Sequence, residues 1–233
     1  ENDTKYDLSD MMEDVYMFAM RSTHQKDNTM KVVATIPFKN MEDQIIDLYN
    51  ESEIIPDNEL YFYDIEVYPN LLLIAWKKYG FELPEDYFYT ENDRVFINSN
   101  YDSGSEWYKV NKNNFGIRFN PSPEVIEAML NHPLVGFNNR KYDNHIVYNA
   151  MMGVSNMELF NQSQSIIENK GGTFGNAYNI SYADLYEFLD IKMALKKWQI
   201  KLGIKHDEFE FPWDKPLHEN DWARAAQYCW NDV

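Results

Sequence analysis

The sequence predicts an α/β fold: a mixed sheet in which three antiparallel strands are continued by parallel strands, flanked by helices, with an N-terminal α+β appendage. Three observations predict it. Two apolar runs of strand length, residues 60–67 and 71–76, are parted by Tyr68-Pro69-Asn70, a turn signal, so they form a hairpin. From Ser122 onward helical stretches alternate with short apolar runs, the pattern of crossover units on a parallel sheet. The chain has 233 residues, 44% hydrophobic and 16% aromatic, enough to bury a core.

Residues 1–58 read as an accessory segment and 59–233 as the main domain. In the accessory segment Ser9 caps a helix through about Arg21, with Met12, Val15, Phe18 and Ala19 on one stripe; 31–38 is a strand and 42–49 a short helix. After the hairpin, Arg94-Val-Phe-Ile-Asn98 is the third strand, and 99–116 is polar and irregular, an exposed loop or short hairpin. Ser122-Pro123-Glu124 starts a helix with a cap, a proline in the first turn and an acid near the positive dipole end. Pro133-Leu-Val-Gly-Phe137 is a short buried strand, and a helix runs from about Tyr142 to Met152, stopped by Gly153. Residues 161–177 hold Gly171, Gly172 and Gly175 and read as a long loop. It is no phosphate-cradling loop, since no Lys-Ser/Thr pair follows the glycines. Residues 179–185 form a further strand and 193–202 a helix ended by Gly203. The last helix starts near Glu219, with Trp222, Ala225, Ala226 and Cys229 facing in.

The formal charge is −17, from 21 basic and 38 acidic residues, which argues against a protein that coats a phosphate backbone. It does not argue against a nucleic-acid enzyme, because carboxylates that hold metal ions attract anions once loaded. The single cysteine, Cys229, excludes an intramolecular disulfide and a Cys-based zinc site, and a reducing, cytoplasmic setting is expected. No run is long and apolar enough to span a bilayer and the opening Glu-Asn-Asp-Thr is no signal peptide, so no membrane partner is expected. The chain starts at Glu1 rather than Met and stops at Val233 inside a helical pattern, so a fragment of a longer protein is expected.

Chemistry concentrates on carboxylates. Asp64 and Glu66 are two residues apart on the first strand and therefore share a face. Two like charges on a buried strand are costly without a cation between them, and oxygen ligands suit Mg²⁺ or Mn²⁺; the alternative is a solvated edge strand. Asp143 follows a buried strand at the entry to a helix, the junction where α/β sheets build sites, although an aspartate there also serves the helix dipole. Tyr228 and Asp232 are four apart and share a face of the last helix; the same spacing recurs at Tyr186 and Asp190, which is the fallback. His145 follows Asp143 by two residues, and the helix turns it to another face.

Asp-x-Glu on a strand, Asn-x-x-Tyr-Asp and Tyr-x-x-x-Asp, in that order and context, resemble the DnaQ-like 3′–5′ exonucleases of the DEDDy subgroup. That subgroup includes the proofreading domains of family A DNA polymerases. The likeness is closer still to the exonuclease portion of siphophage-type DNA polymerases. It is carried by Tyr63-Asp64-Ile-Glu66-Val-Tyr-Pro-Asn70, Leu134-Val-Gly-Phe-Asn-Asn-Arg-Lys-Tyr-Asp-Asn-His-Ile146, Asn179-Ile-Ser-Tyr-Ala-Asp184, Leu195-Lys-Lys-Trp-Gln-Ile-Lys-Leu-Gly203 and Tyr228-Cys-Trp-Asn-Asp232, from about residue 60 to the end. The resemblance implies a ribonuclease-H-like fold and two divalent ions, Mg²⁺ or Mn²⁺, held by Asp64, Glu66, Asp143 and Asp232. It implies that Tyr228 orients the attacking water; the histidine subgroup would need His where this chain has Gln227. Asn139 and Tyr142 are implied at the substrate, a single-stranded or frayed 3′ end of DNA. A polymerase domain C-terminal in the same full-length chain, and a host-cell cytoplasm if phage-encoded, complete what it implies. Competing expectations are a free-standing RNA-directed exonuclease and a non-catalytic acidic interaction module.

Overall fold

The computed structural model describes residues 59–169, 175–204 and 206–233. The helices and strand expected within 1–58, and Gly171 and Gly172, lie outside the described residues. Strands β1 (Tyr61–Tyr68) and β2 (Leu71–Lys78) form the expected hairpin; Tyr68 pairs with Leu71, leaving Pro69 and Asn70 as the turn. Asn70 ties this turn to the segment before the last helix: its amide donates to the Leu217 carbonyl and accepts from the Leu217 N–H, both at 2.8 Å.

Strands β3 (Phe88–Glu91) and β4 (Arg94–Ile97) pair only with each other, as a separate ribbon. This corrects the placing of the third sheet strand at 94–98. That strand is β5 (Phe115–Phe119), antiparallel to β2, and it begins inside the stretch expected to be irregular. The reason is burial: Phe115 and Ile117 are buried beside β2, whereas β4 is at best half-buried. The same stretch holds helix α1 (Glu106–Asn111), whose Ser105 cap accepts from the Tyr108 N–H at 3.0 Å.

Helix α2 (Pro123–Leu130) leads into β6 (Leu134–Gly136), which lies parallel to β1. Helices α3 (Asp143–Met151) and α4 (Asn156–Glu168) follow. Helix α4 corrects the loop expected from residue 161. A reciprocal Ser155–Glu158 capping box starts it, and its buried stripe is Leu159, Ser163 and Ile166, a period that the interleaved polar residues obscure. Strand β7 (Ala183–Asp184) is shorter than the expected 179–185, because a 3₁₀ turn occupies Asn176–Asn179. The Asp184 carboxylate also accepts from the Tyr186 N–H at 2.9 Å, starting helix α5 (Leu185–Phe188) at once. Helix α6 (Leu195–Leu202) ends at Gly203 with φ +69°, a left-handed stop that glycine adopts without strain, and α7 (Trp222–Asp232) closes the chain.

The result is an α/β fold around a mixed sheet of order β5-β2-β1-β6-β7. Helices α2, α3 and α4 cover the face carrying Tyr63, Ile65, Val67 and Ile74. Helix α7 covers the other, against Leu71, Leu73, Ala75 and Phe115. Among the described residues no helix is long and apolar enough to cross a membrane.

Candidate metal centre

Strand alternation decides where the first two carboxylates go. Odd positions of β1 enter the core under α2–α4, so Asp64, Glu66 and Tyr68 face α7, with Asp64 paired to Ala75 and Glu66 to Leu73 in register. On α7, Ala225, Ala226 and Cys229 are fully buried. The two alanines let the helix backbone approach the sheet closely, which brings Cys229 to the carboxylates: its thiol donates to Asp64 Oδ2 across 3.7 Å. Ligand atoms of Asp64, Glu66 and Cys229 all lie within 4.8 Å of one another.

Asp143 arrives from the turn that follows β6, as the first residue of α3. The turn before it is held by Asp184, which accepts from the N–H groups of Asn138 at 2.7 Å and Arg140 at 3.2 Å. Asn138 supplies the left-handed residue, φ +60°. Behind this turn lies a buried polar network. The Asn139 amide donates to Ser181 Oγ at 2.6 Å and to the Tyr63 hydroxyl and Asn144 Oδ1, each at 3.1 Å, while the Tyr63 hydroxyl itself donates to Asn144 Oδ1. Asn139, expected at the substrate, is 0% exposed, with its amide nitrogen donated into this network and its Oδ1 without a hydrogen-bond partner. Tyr142 is partly buried, and after burial the charges of Asp143, Glu66 and Asp64 raise its hydroxyl pKa. Its hydroxyl bonds Ser163 Oγ at 2.6 Å and its ring packs into the α2–α4 core, away from α7. His145 is buried too, and burial lowers its pKa.

Tyr228 and Asp232 lie on successive turns of α7, as their spacing requires. The Tyr228 ring rests against Phe209 and Trp213, with centroids 5.3 and 5.9 Å away. These rings belong to the segment joining α6 to α7. Arg224 pins that segment through Asp207, at 2.6 and 3.1 Å, and through the Glu208 carbonyl. Asp232 accepts from the Gln199 amide at 2.8 Å. Asp190, the fallback, is exposed and forms no part of this cluster.

Every carboxyl of the centre has a raised pKa. Burial raises the Asp64 carboxyl well above the usual carboxylate range, and Asp143 and Asp232 push it further. Glu66 is raised well for the same first reason, then by Asp64, Asp232 and Asp143. Burial, helped by Asp184, takes Asp143 up to about 7; Asp232 is raised by burial, with the Gln199 and Asn231 amides pulling the other way. Burial and then Glu66 and Asp232 raise the Tyr228 hydroxyl. Among the described residues no lysine or arginine forms an ion pair with any of these acids. Glu66, nine-tenths buried and without a cation, fits a divalent ion, as does the oxygen-rich donor set. Asp143 and Asp232 lie outside the tight ligand group yet within electrostatic reach of it.

Three residues here carried no functional expectation. Cys229 reads as a core residue, although its place three before Asp232 puts it on the same face of the helix. Asp184 reads as a strand residue, and Gln199 lies in a stretch that carries the family resemblance with no role attached to it. Compared with protein-family models, with curated proteins and with solved structures, the chain has no match.

Proposed function

We propose that the chain is a metal-dependent 3′–5′ exonuclease acting on DNA 3′ ends, built on a ribonuclease-H-like sheet of the DnaQ type. One observation carries the reading. Asp64, Glu66, Asp143 and Asp232 come from three separate elements, and Asp143 and Asp232 both raise the pKa of Asp64 and of Glu66, with no lysine or arginine ion-paired to any of the four among the described residues. Together with the order of motifs along the chain, this supports a carboxylate centre for two Mg²⁺ or Mn²⁺ ions. Bound there, such ions supply Lewis-acid polarisation of a phosphodiester and an acidified water.

The chain's own residues do the rest. The four acids would hold the ions, whose charge would offset the repulsion between these carboxylates and a phosphate. The Tyr228 hydroxyl, kept protonated by burial and by Glu66, orients a water through a hydrogen bond rather than removing its proton. The Phe209 and Trp213 rings fix that tyrosine. The substrate is a single-stranded or frayed 3′ end, and a polymerase domain C-terminal in the same full-length chain is the partner.

The test is digestion of 5′-labelled single-stranded DNA with Mg²⁺ or Mn²⁺, with RNA of the same sequence in parallel. Stepwise shortening from the 3′ end, stopped by EDTA and by Asp64→Ala, is expected. Preference for RNA would move the assignment to an RNA-directed enzyme. Activity surviving Asp64→Ala would remove the site, and no cleavage with either ion would leave an acidic interaction module.

A further inference from the structure

Helix α6 buries a residue that the hydrophobic effect does not select. Ile200 and Leu202 are 60% and 66% exposed, whereas Gln199 is 5% exposed and is the buried residue of the helix. A primary amide is costly to bury unless its hydrogen bonds are made, so those bonds say what the helix is for. Gln199 Nε2 donates to Asp232 Oδ1 at 2.8 Å and, more weakly, to the Asn231 carbonyl at 3.5 Å. Its Oε1 meets His206 Nδ1 at 3.0 Å. His206 Nε2 faces Glu208 Oε1 at 3.3 Å, and Lys196, one turn before Gln199, also reaches Glu208. With the oxygen engaged by His206, the amide nitrogen is left to point at Asp232.

We infer that Gln199, oriented by His206, is a positioning residue that fixes the Asp232 carboxylate for metal binding. The inference rests on the carboxylate centre proposed above. A neutral donor suits this task. It holds one carboxylate oxygen and leaves the other free, without the positive charge that would oppose a cation. Partners of this kind behind a ligand change metal affinity by about 10- to 100-fold when removed.

A double-mutant cycle on Mn²⁺ affinity, measured by electron paramagnetic resonance on the full chain, tests the role. Gln199→Met keeps the volume and removes the donor; it weakens Mn²⁺ binding about 10- to 100-fold. In an Asp232→Asn background the same change has no further effect, because the carboxylate it positions is gone. Loss of packing alone would act equally in both backgrounds. Equal weakening in the two backgrounds, or none in either, overturns the positioning role and leaves the exonuclease proposal standing. Absence of Mn²⁺ binding by the natural chain overturns both. If Gln199→Met does not fold, His206→Phe is read in the same cycle and must show the same dependence on Asp232.

Discussion

Replacing Asp143 by Asn probes the charge balance of the centre. Burial, with help from Asp184, lifts the Asp143 carboxyl from its ordinary 3.8 to about 7. An acid with a higher pKa folded than unfolded keeps its proton longer in the folded chain. The stability this contributes is complete below about pH 4 and is lost as the pH rises through about 7. At about 1.4 kcal/mol for each tenfold change in acidity, the loss in metal-free protein amounts to about 4 kcal/mol. The Asn variant never ionises there, so in EDTA it is more stable than the natural chain by about 4 kcal/mol near pH 8, and by less than about 1 kcal/mol near pH 4. Urea unfolding followed by circular dichroism at the two pH values measures the difference. Saturating Mn²⁺ reverses the order near pH 8, since the ion stabilises the natural chain by mass action and the variant has lost a ligand. A difference in EDTA that does not grow with pH, or a variant less stable than the natural chain near pH 8, would refute the reasoning.

Further outcomes follow from the same geometry. Tyr228→Phe lowers kcat for 3′-end digestion about 10- to 100-fold, the cost of one hydrogen bond to a polar group, and leaves Mn²⁺ affinity unchanged; a matching loss of affinity would make Tyr228 a ligand. Gly136→Ala places a methyl 2.7 Å from Asn139 Cβ and Cγ. Its overpacking costs about 1–3 kcal/mol, read as a lower urea midpoint. Asp184→Asn removes the charge from the acceptor of the Asn138 and Arg140 amides. Those two amides then exchange hydrogen faster, at a stability cost of about 1–3 kcal/mol; unchanged protection would show that the turn holds itself.

The hairpin was legible because its signals are local: two apolar runs with Pro69 and Asn70 between them. Helix α2 was legible through Pro123 in its first turn, α3 through the Gly153 stop, and α7 through its apolar period. The third sheet strand was not. Residues 94–97 and 115–119 both alternate plausibly, and only pairing with the free edge of β2 separates them. Helix α4 was hidden because its buried stripe contains Ser163, a polar residue satisfied by Tyr142 from the turn before α3.

Within the centre, the chain by itself determined which acids share a face. Asp64 and Glu66 do so through strand alternation, and Tyr228 and Asp232 through helical spacing, because both periods are properties of the backbone. Tertiary structure decided what those faces meet. It closed α7 onto β1 through Ala225 and Ala226 and brought the Cys229 thiol to Asp64. It also enclosed Asn139 behind the turn and set Gln199 against Asp232. Those contacts join residues far apart in the chain, and the desolvation and mutual repulsion that raise the carboxyl pKa values exist only once packing has removed the water between them.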